Sequence, residues 1–239
     1  MKLIFFSTFL FFCYSSFSQV NNDTSSNYFV QQSIQLYNQF SGAEAAIYNG
    51  REYIPYTFKK EGNAFFGSDQ FTNGWISYQG HIYQAIPMQY DVVRNQVVIL
   101  NFDNRSAIFL QNEAIDSFYF LEHTFIRMEK NSALNLNSTG FYDRLLNGRI
   151  QVIAARKKGI KETIPDNQIL RVFENKDRFY VFKNTKFYWV NNKKEVFSLF
   201  SDKRHEIKTG MRKQKIKFSR NNFEEALMAA SAIYDQSMK

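Results

Sequence analysis

Apolar and polar positions along this 239-residue chain fall into three successive regimes. The first is residues 1–18, MKLIFFSTFLFFCYSSFS, with a positive start at Lys2, an apolar run from Leu3 to Phe12, and a small-x-small site at Ser16, Phe17 and Ser18. That layout predicts a secretory signal peptide removed before Gln19, and its apolar core is too short for a lasting membrane span. Residues 19–27 are polar and read as a flexible leader. Residues 29–40 read as a short helix with Phe29, Ile34, Leu36, Tyr37 and Phe40 as its apolar positions.

From Ala43 the pattern turns to β, with aromatic and β-branched residues alternating with polar ones between turn signals. Ala46 to Tyr48 lead into Asn49–Gly50 and then Glu52 to Tyr56, which predicts a hairpin, because Asn-Gly supplies the positive dihedrals of a tight turn. The same grammar returns around Gln79–Gly80, and the likeness of residues 48–56 to 78–86 predicts a duplicated hairpin element. Strands follow over 89–93, 96–101, 106–110 and 117–127. Residues 131–140, Asn-rich and closed by Gly140, read as a polar linker between an N-terminal β-rich section (19–130) and a second section (141–239) packed with it.

The second section opens as a hairpin about Asn147–Gly148. A basic, Pro-containing connection over 157–167 follows, then strands over 168–173, 178–182 and 187–190. After Asn191 the period changes to helical. Val196, Leu199 and Phe200 mark one short helix, and Ile207 and Met211 a second, although 213–218 alternates enough to be a strand. Phe223, Leu227, Ala230 and Tyr234 mark a third helix behind Asn222, with Glu224 and Glu225 in its first turn, where carboxylates are favoured. The expected fold class is therefore α+β: an antiparallel β-rich body of meandering hairpins with a short C-terminal helical section.

Composition sharpens this picture. Cys13 is the only cysteine and leaves with the signal, so packing alone must stabilise the mature chain. Its 20 Phe and 13 Tyr supply most of the expected buried bulk. Charge is unevenly spread: residues 19–140 carry seven basic and eleven acidic side chains, while 141–220 carry twenty-one basic and eight acidic. Such a split predicts an electropositive face for anionic partners.

Candidate chemistry is thin by comparison. His81, His123 and His205 have no metal-ligand spacing, so neither a metal nor a cofactor is expected. GxSxG, P-loop and GxGxxG signatures are absent. Asp91, Asp103, Glu113, Asp116 and Glu122 are ordinary strand-end and turn carboxylates, and no reaction is assigned; a hydrolase is the third reading. The candidate anion-binding residues are Arg156, Lys157, Lys158 and Lys161 in one cluster, and Lys203, Arg204, Lys208, Arg212, Lys213, Lys215 and Lys217 in another. Phe179, Tyr188 and Trp189, interleaved with them, suit stacking or membrane-interface contacts. Trp75, Tyr78 and Tyr83 are a candidate aromatic binding surface, although alternation puts Trp75 and Tyr78 on opposite faces of a regular strand.

Four stretches, residues 47–58, 71–100, 140–158 and 193–218, together with the helix containing Tyr234, resemble a group of exported proteins of Bacteroidota with no established activity. The resemblance covers most of the mature chain and implies the periplasm or exterior of a Gram-negative bacterium. It names no ligand and no site residue. The expected function is a non-catalytic binding or structural protein of the cell envelope, with an anionic lipid or glycan binding module as its rival. An envelope protein or an anionic lipid or glycan is the expected partner. The compartment disfavours nucleic acid, and no transmembrane segment remains after cleavage.

Overall fold

The computed structural model describes residues 45–238; the signal, the leader and the helix expected over 29–40 lie outside them. The α+β expectation holds. Eleven strands form one antiparallel sheet: β1 (Arg51–Glu52), β3 (Thr72–Tyr78), β4 (His81–Asp91), β5 (Gln96–Leu100), β6 (Ala107–Phe109), β7 (Ile115–Phe120), β8 (His123–Met128), β9 (Gly140–Asn147), β10 (Gln151–Ala155), β13 (Arg178–Lys183) and β14 (Lys186–Val190). Their spatial order is β1-β6-β5-β4-β3-β7-β8-β9-β10-β13-β14. A three-stranded sheet joins the hairpin β11 (Lys158–Thr163) and β12 (Leu170–Asn175) to β2 (Lys60–Glu61). Helices α1 (Lys193–Leu199), α2 (Arg204–Lys213) and α3 (Phe223–Ser237) complete the C-terminal section.

Alternation sorts the large side chains to two faces of the main sheet. On one face a cluster rich in aromatics spans β3 to β9, including Tyr90, Phe118, Phe125 and Phe141, with Phe118 and Phe125 stacked at 4.7 Å. Val152 and Val181 continue that face and pack under the helices with Val196, Phe200, Ile207, Leu227 and Tyr234. Val196, Phe200, Ile207, Met211, Leu227, Ala230 and Tyr234, all expected to face inward, are buried. On the opposite face Tyr142, Ile153, Tyr180 and Phe187 pack beneath Leu136. Residues 131–140 supply that cover: Asn131 caps the 3₁₀ turn Ser132–Leu134, and β8 pairs with β9 directly across the connection.

Several expected elements differ. Asn49–Gly50 makes no hairpin: Ala46–Tyr48 is a 3₁₀ turn and β1 pairs with β6. Gly50 is there for close approach, since a Cβ would lie 2.7 Å from the Phe109 carbonyl oxygen. The duplicated hairpin is therefore a single one, β3–β4, turning at Gln79 and Gly80, both of positive φ. The strand expected over 117–127 is two, reversing at Leu121 and Glu122, again both at positive φ. The connection expected over 157–167 is mostly strand β11, and 214–218 is no strand.

Helix α3 is tied to β10 at both ends. Arg149 donates to the carbonyls of Asp235 and Met238 (2.8 and 3.2 Å), and the Ile150 amide donates to the Asp235 carboxylate at 3.1 Å. At the other end Glu224 grips Arg156, the residue after β10.

Within β3–β4 an extra residue at Ala85, of positive φ, shifts the register between Gly74 and Ile76. Gly74 there lies so close to β7 that a methyl group would collide with the Tyr119 carbonyl oxygen. Gly74→Ala should therefore cost about 2–3 kcal/mol of stability through overpacking, read as a lowered urea midpoint with an unchanged slope.

Candidate functional site

The basic residues named from the sequence divide into an interior group and a surface group. Arg156 belongs inside: it is 6% exposed, and its guanidinium donates to Asp143 (2.6 and 2.9 Å), Glu224 (2.7 Å twice) and Asp177 (3.0 Å). It also lies over the rings of Phe66 and Phe179, at 5.4 and 5.8 Å. Burial alone would lower its pKa, but the carboxylates around it raise it instead, so the charge is locked on. Asp143, itself 1% exposed, also holds His123 Nδ1 at 2.8 Å. Arg156 is thus corrected from an anion-binding candidate to a structural ion-pair hub, since its donors are consumed internally.

Lys158 is corrected too. Its ammonium donates to the Asn63 and Phe65 carbonyl oxygens (2.9 and 2.6 Å), and burial lowers its pKa. Lys157 and Lys161 remain exposed, Lys161 facing Glu174 at 3.7 Å. The proposed aromatic surface dissolves. Tyr78 and Tyr83 are 2% and 4% exposed within the core, while Trp75 stacks on Tyr119 at 6.2 Å. Asp91 is fully buried and accepts hydrogen bonds from the Tyr53 and Tyr56 hydroxyls and the amides of Val93 and Arg94, so it is no free acid.

Of the surface group, Arg204 lines a groove beside α1 and Lys208 stands next to it; the others do not join them. Asn192 caps α1 by accepting from the Glu195 amide, while the Glu195 carboxylate accepts from the Asn191 amide at 2.8 Å. That arrangement occupies the only acid on α1 and leaves Lys193 and Lys194 exposed on its first turn. Between α1 and α2 runs a groove of about 590 Å³ lined by Lys193, Lys194, Phe197, Ser198, Ser201 and Arg204. The Arg204 guanidinium and the Lys208 ammonium lie 5.5 and 5.9 Å from the Phe197 ring centre, a contact that holds cations in place over an aromatic face.

Ser198 also lines a second cleft, of about 380 Å³, with Lys183, Asn184, Tyr188, Trp189 and Glu195, whose carboxylate is the acid on that side. Trp189 is 56% exposed at the edge strand β14. Among the described residues, Lys186, Lys193, Lys194, Arg204 and Lys208 form no ion pair with a carboxylate. Lys203 pairs with Glu206 at 3.4 Å. Arg212, Lys213, Lys215 and Lys217 are exposed but line neither cleft. Sequence reading missed Lys193 and Lys194 as site residues, though they are adjacent cations next to the helix start that it did identify.

Beneath the second cleft, Lys183 donates to the Leu199 carbonyl (2.8 Å) and to Asp202 (3.3 Å), and lies over the Tyr234 ring at 4.5 Å. Burial works against its charge, yet its hydrogen bonds with Tyr234 and Asp202 raise its pKa. Slight burial would raise the Asp202 pKa, but hydrogen bonds from Tyr234 and Lys183 outweigh it and lower the value.

No family profile, curated protein or solved structure matches this chain.

Two outcomes follow from these contacts. Arg156→Met leaves three carboxylates around an uncompensated site and should cost about 3–5 kcal/mol, whereas Glu224→Gln, which keeps an acceptor, should cost about 1 kcal/mol; both are read by chemical denaturation. Asp202, with its folded pKa depressed, contributes stability that is present above its ordinary value of 3.8 and lost as pH falls below it. Because the group is largely exposed, Asp202→Asn should cost less than about 1 kcal/mol at neutral pH, and the variant should lose less further stability than the parent between neutral and acid pH.

Proposed function

We propose that this protein is exported to the envelope and acts there as a non-catalytic binding protein for acidic ligands. Its ligand surface is the lysine- and arginine-rimmed groove of α1 and α2 with the neighbouring Trp189. One observation carries the reading: Lys193, Lys194 and Arg204 line one groove, with Lys208 beside it, and none has a carboxylate partner among the described residues. Surface lysines and arginines are often balanced by nearby acids. Here Glu195 is turned into a helix cap and Asp202 toward Lys183 and Tyr234, which leaves a field open to an incoming anion. The export part rests on the signal-like residues 1–18 and on the resemblance to exported Bacteroidota proteins.

Binding to an acidic probe such as dextran sulfate tests this. The mature chain should bind at low salt and weaken as salt screens the field, and Lys194→Glu/Arg204→Glu should weaken binding by about tenfold or more. Failure to bind any acidic probe at low salt, or indifference to the charge reversal in a folded variant, would overturn the reading.

A further inference from the structure

We infer that the groove between α1 and α2 seats an anionic phospholipid, and that the protein docks peripherally on an acidic leaflet through this helical corner. The inference rests on the acidic-ligand reading above and names the ligand class.

Three features select a lipid. The lining is of mixed character: Lys193, Lys194 and Arg204 bring cationic heads on aliphatic stems, Ser198 and Ser201 bring hydroxyls, and the Phe197 ring, 4% exposed, lies beneath them. A phosphodiester meets the cations with charge and accepts from the hydroxyls, while methylenes next to it cover the aliphatic stems of Lys193, Lys194 and Arg204. A hydrated sugar polyanion would use the cations but would leave that carbon surface without a partner. Glycan hydroxyls also call for acceptor side chains, and neither a carboxylate nor an amide lines this groove.

Trp189 is the second feature. An indole 56% exposed, in a cleft that shares Ser198 with the groove, is placed as interfacial tryptophans are, with an apolar body and one polar N–H. Third, the cations are held in position. Arg204 and Lys208 rest against the Phe197 ring at 5.5 and 5.9 Å, which reduces the side-chain freedom lost when an anion arrives. No helix among the described residues is long and apolar enough to cross a membrane, and the docking proposed here needs none.

The test uses vesicles of phosphatidylcholine alone or mixed with phosphatidylglycerol, with dextran sulfate as a lipid-free polyanion. The full mature chain is used, in a Trp75→Phe background so that Trp189 is the reporting indole. Co-sedimentation should require phosphatidylglycerol, and brominated acyl chains should quench the Trp189 emission. Lys194→Gln/Arg204→Gln should weaken vesicle partitioning by about 25-fold, at roughly fivefold per basic residue. Ser198→Phe fills the groove while keeping every charge, and should weaken vesicle binding but leave dextran sulfate binding in place. Circular dichroism confirms that each variant is folded.

Dextran sulfate binding without vesicle binding would overturn the lipid inference and leave the acidic-ligand reading standing. Vesicle binding that Ser198→Phe does not weaken, or that brominated chains do not quench, would also overturn it. Binding to neither probe would overturn both.

Discussion

The structure depends on one buried cation. Arg156 enters between Phe66, which packs on Phe125 in the larger apolar cluster, and Phe179, which packs with Phe223 at the start of α3. Both clusters lie on the same sheet face, and without this residue Asp143 would be an uncompensated charge between them. A buried ion pair gives little net stability compared with good apolar packing, but breaking one is costly. What it supplies here is position. The carboxylates of Asp143, Asp177 and Glu224 come from β9, from the β12–β13 turn and from the first turn of α3, so a single guanidinium sets where strand, turn and helix meet.

That constraint explains why the surface cations stay available. The basic excess of residues 141–220 is large, yet the acids best placed to neutralise it are committed elsewhere: Glu224, Asp143 and Asp177 to Arg156, Asp202 to Lys183 and Tyr234, Glu195 to the α1 cap. These acids hold the architecture together through Arg156, Lys183 and a helix cap, and the remaining cations face outward. The proposed ligand groove is one product of that division.

Elements whose alternation or helical spacing coincided with burial were legible in the sequence. Gln79–Gly80 turned as expected, and most inward residues of the three helices were legible because each helix buries one face, although Leu199 is only half-buried and the buried Phe197 went unnamed. Legibility failed where tertiary contact overrode local chemistry. Leu121 and Glu122 adopt a tight-turn geometry without Gly or Asn because Phe118, Phe120 and Phe125 on either side must all be buried, and that fixes the reversal. Strand β11 went unseen because its residues are exposed or half-buried, leaving no apolar rhythm. At the site, charge was legible but partnership was not. Arg156 and Arg204 look alike in sequence, and the difference lies in Glu224, 68 residues away, which local reading assigned to the helix terminus. The same blindness favoured Trp75, which stacks on Tyr119, as a candidate surface over Trp189.

The clamp of α3 across β10 has a consequence in time. A helix of 15 residues spans about 22 Å, and six steps of strand from Ile150 to Arg156 span about 20 Å, so the two ends of one element match the two ends of the other. Chain synthesis makes α3 after every strand it fastens. A nascent chain therefore carries β10 with Arg156 facing only part of its carboxylate set until Phe223–Ser237 arrives. Completion of the sheet's ionic centre is in this way a late event, and the polypeptide's own order of emergence acts as the timer for its final closure.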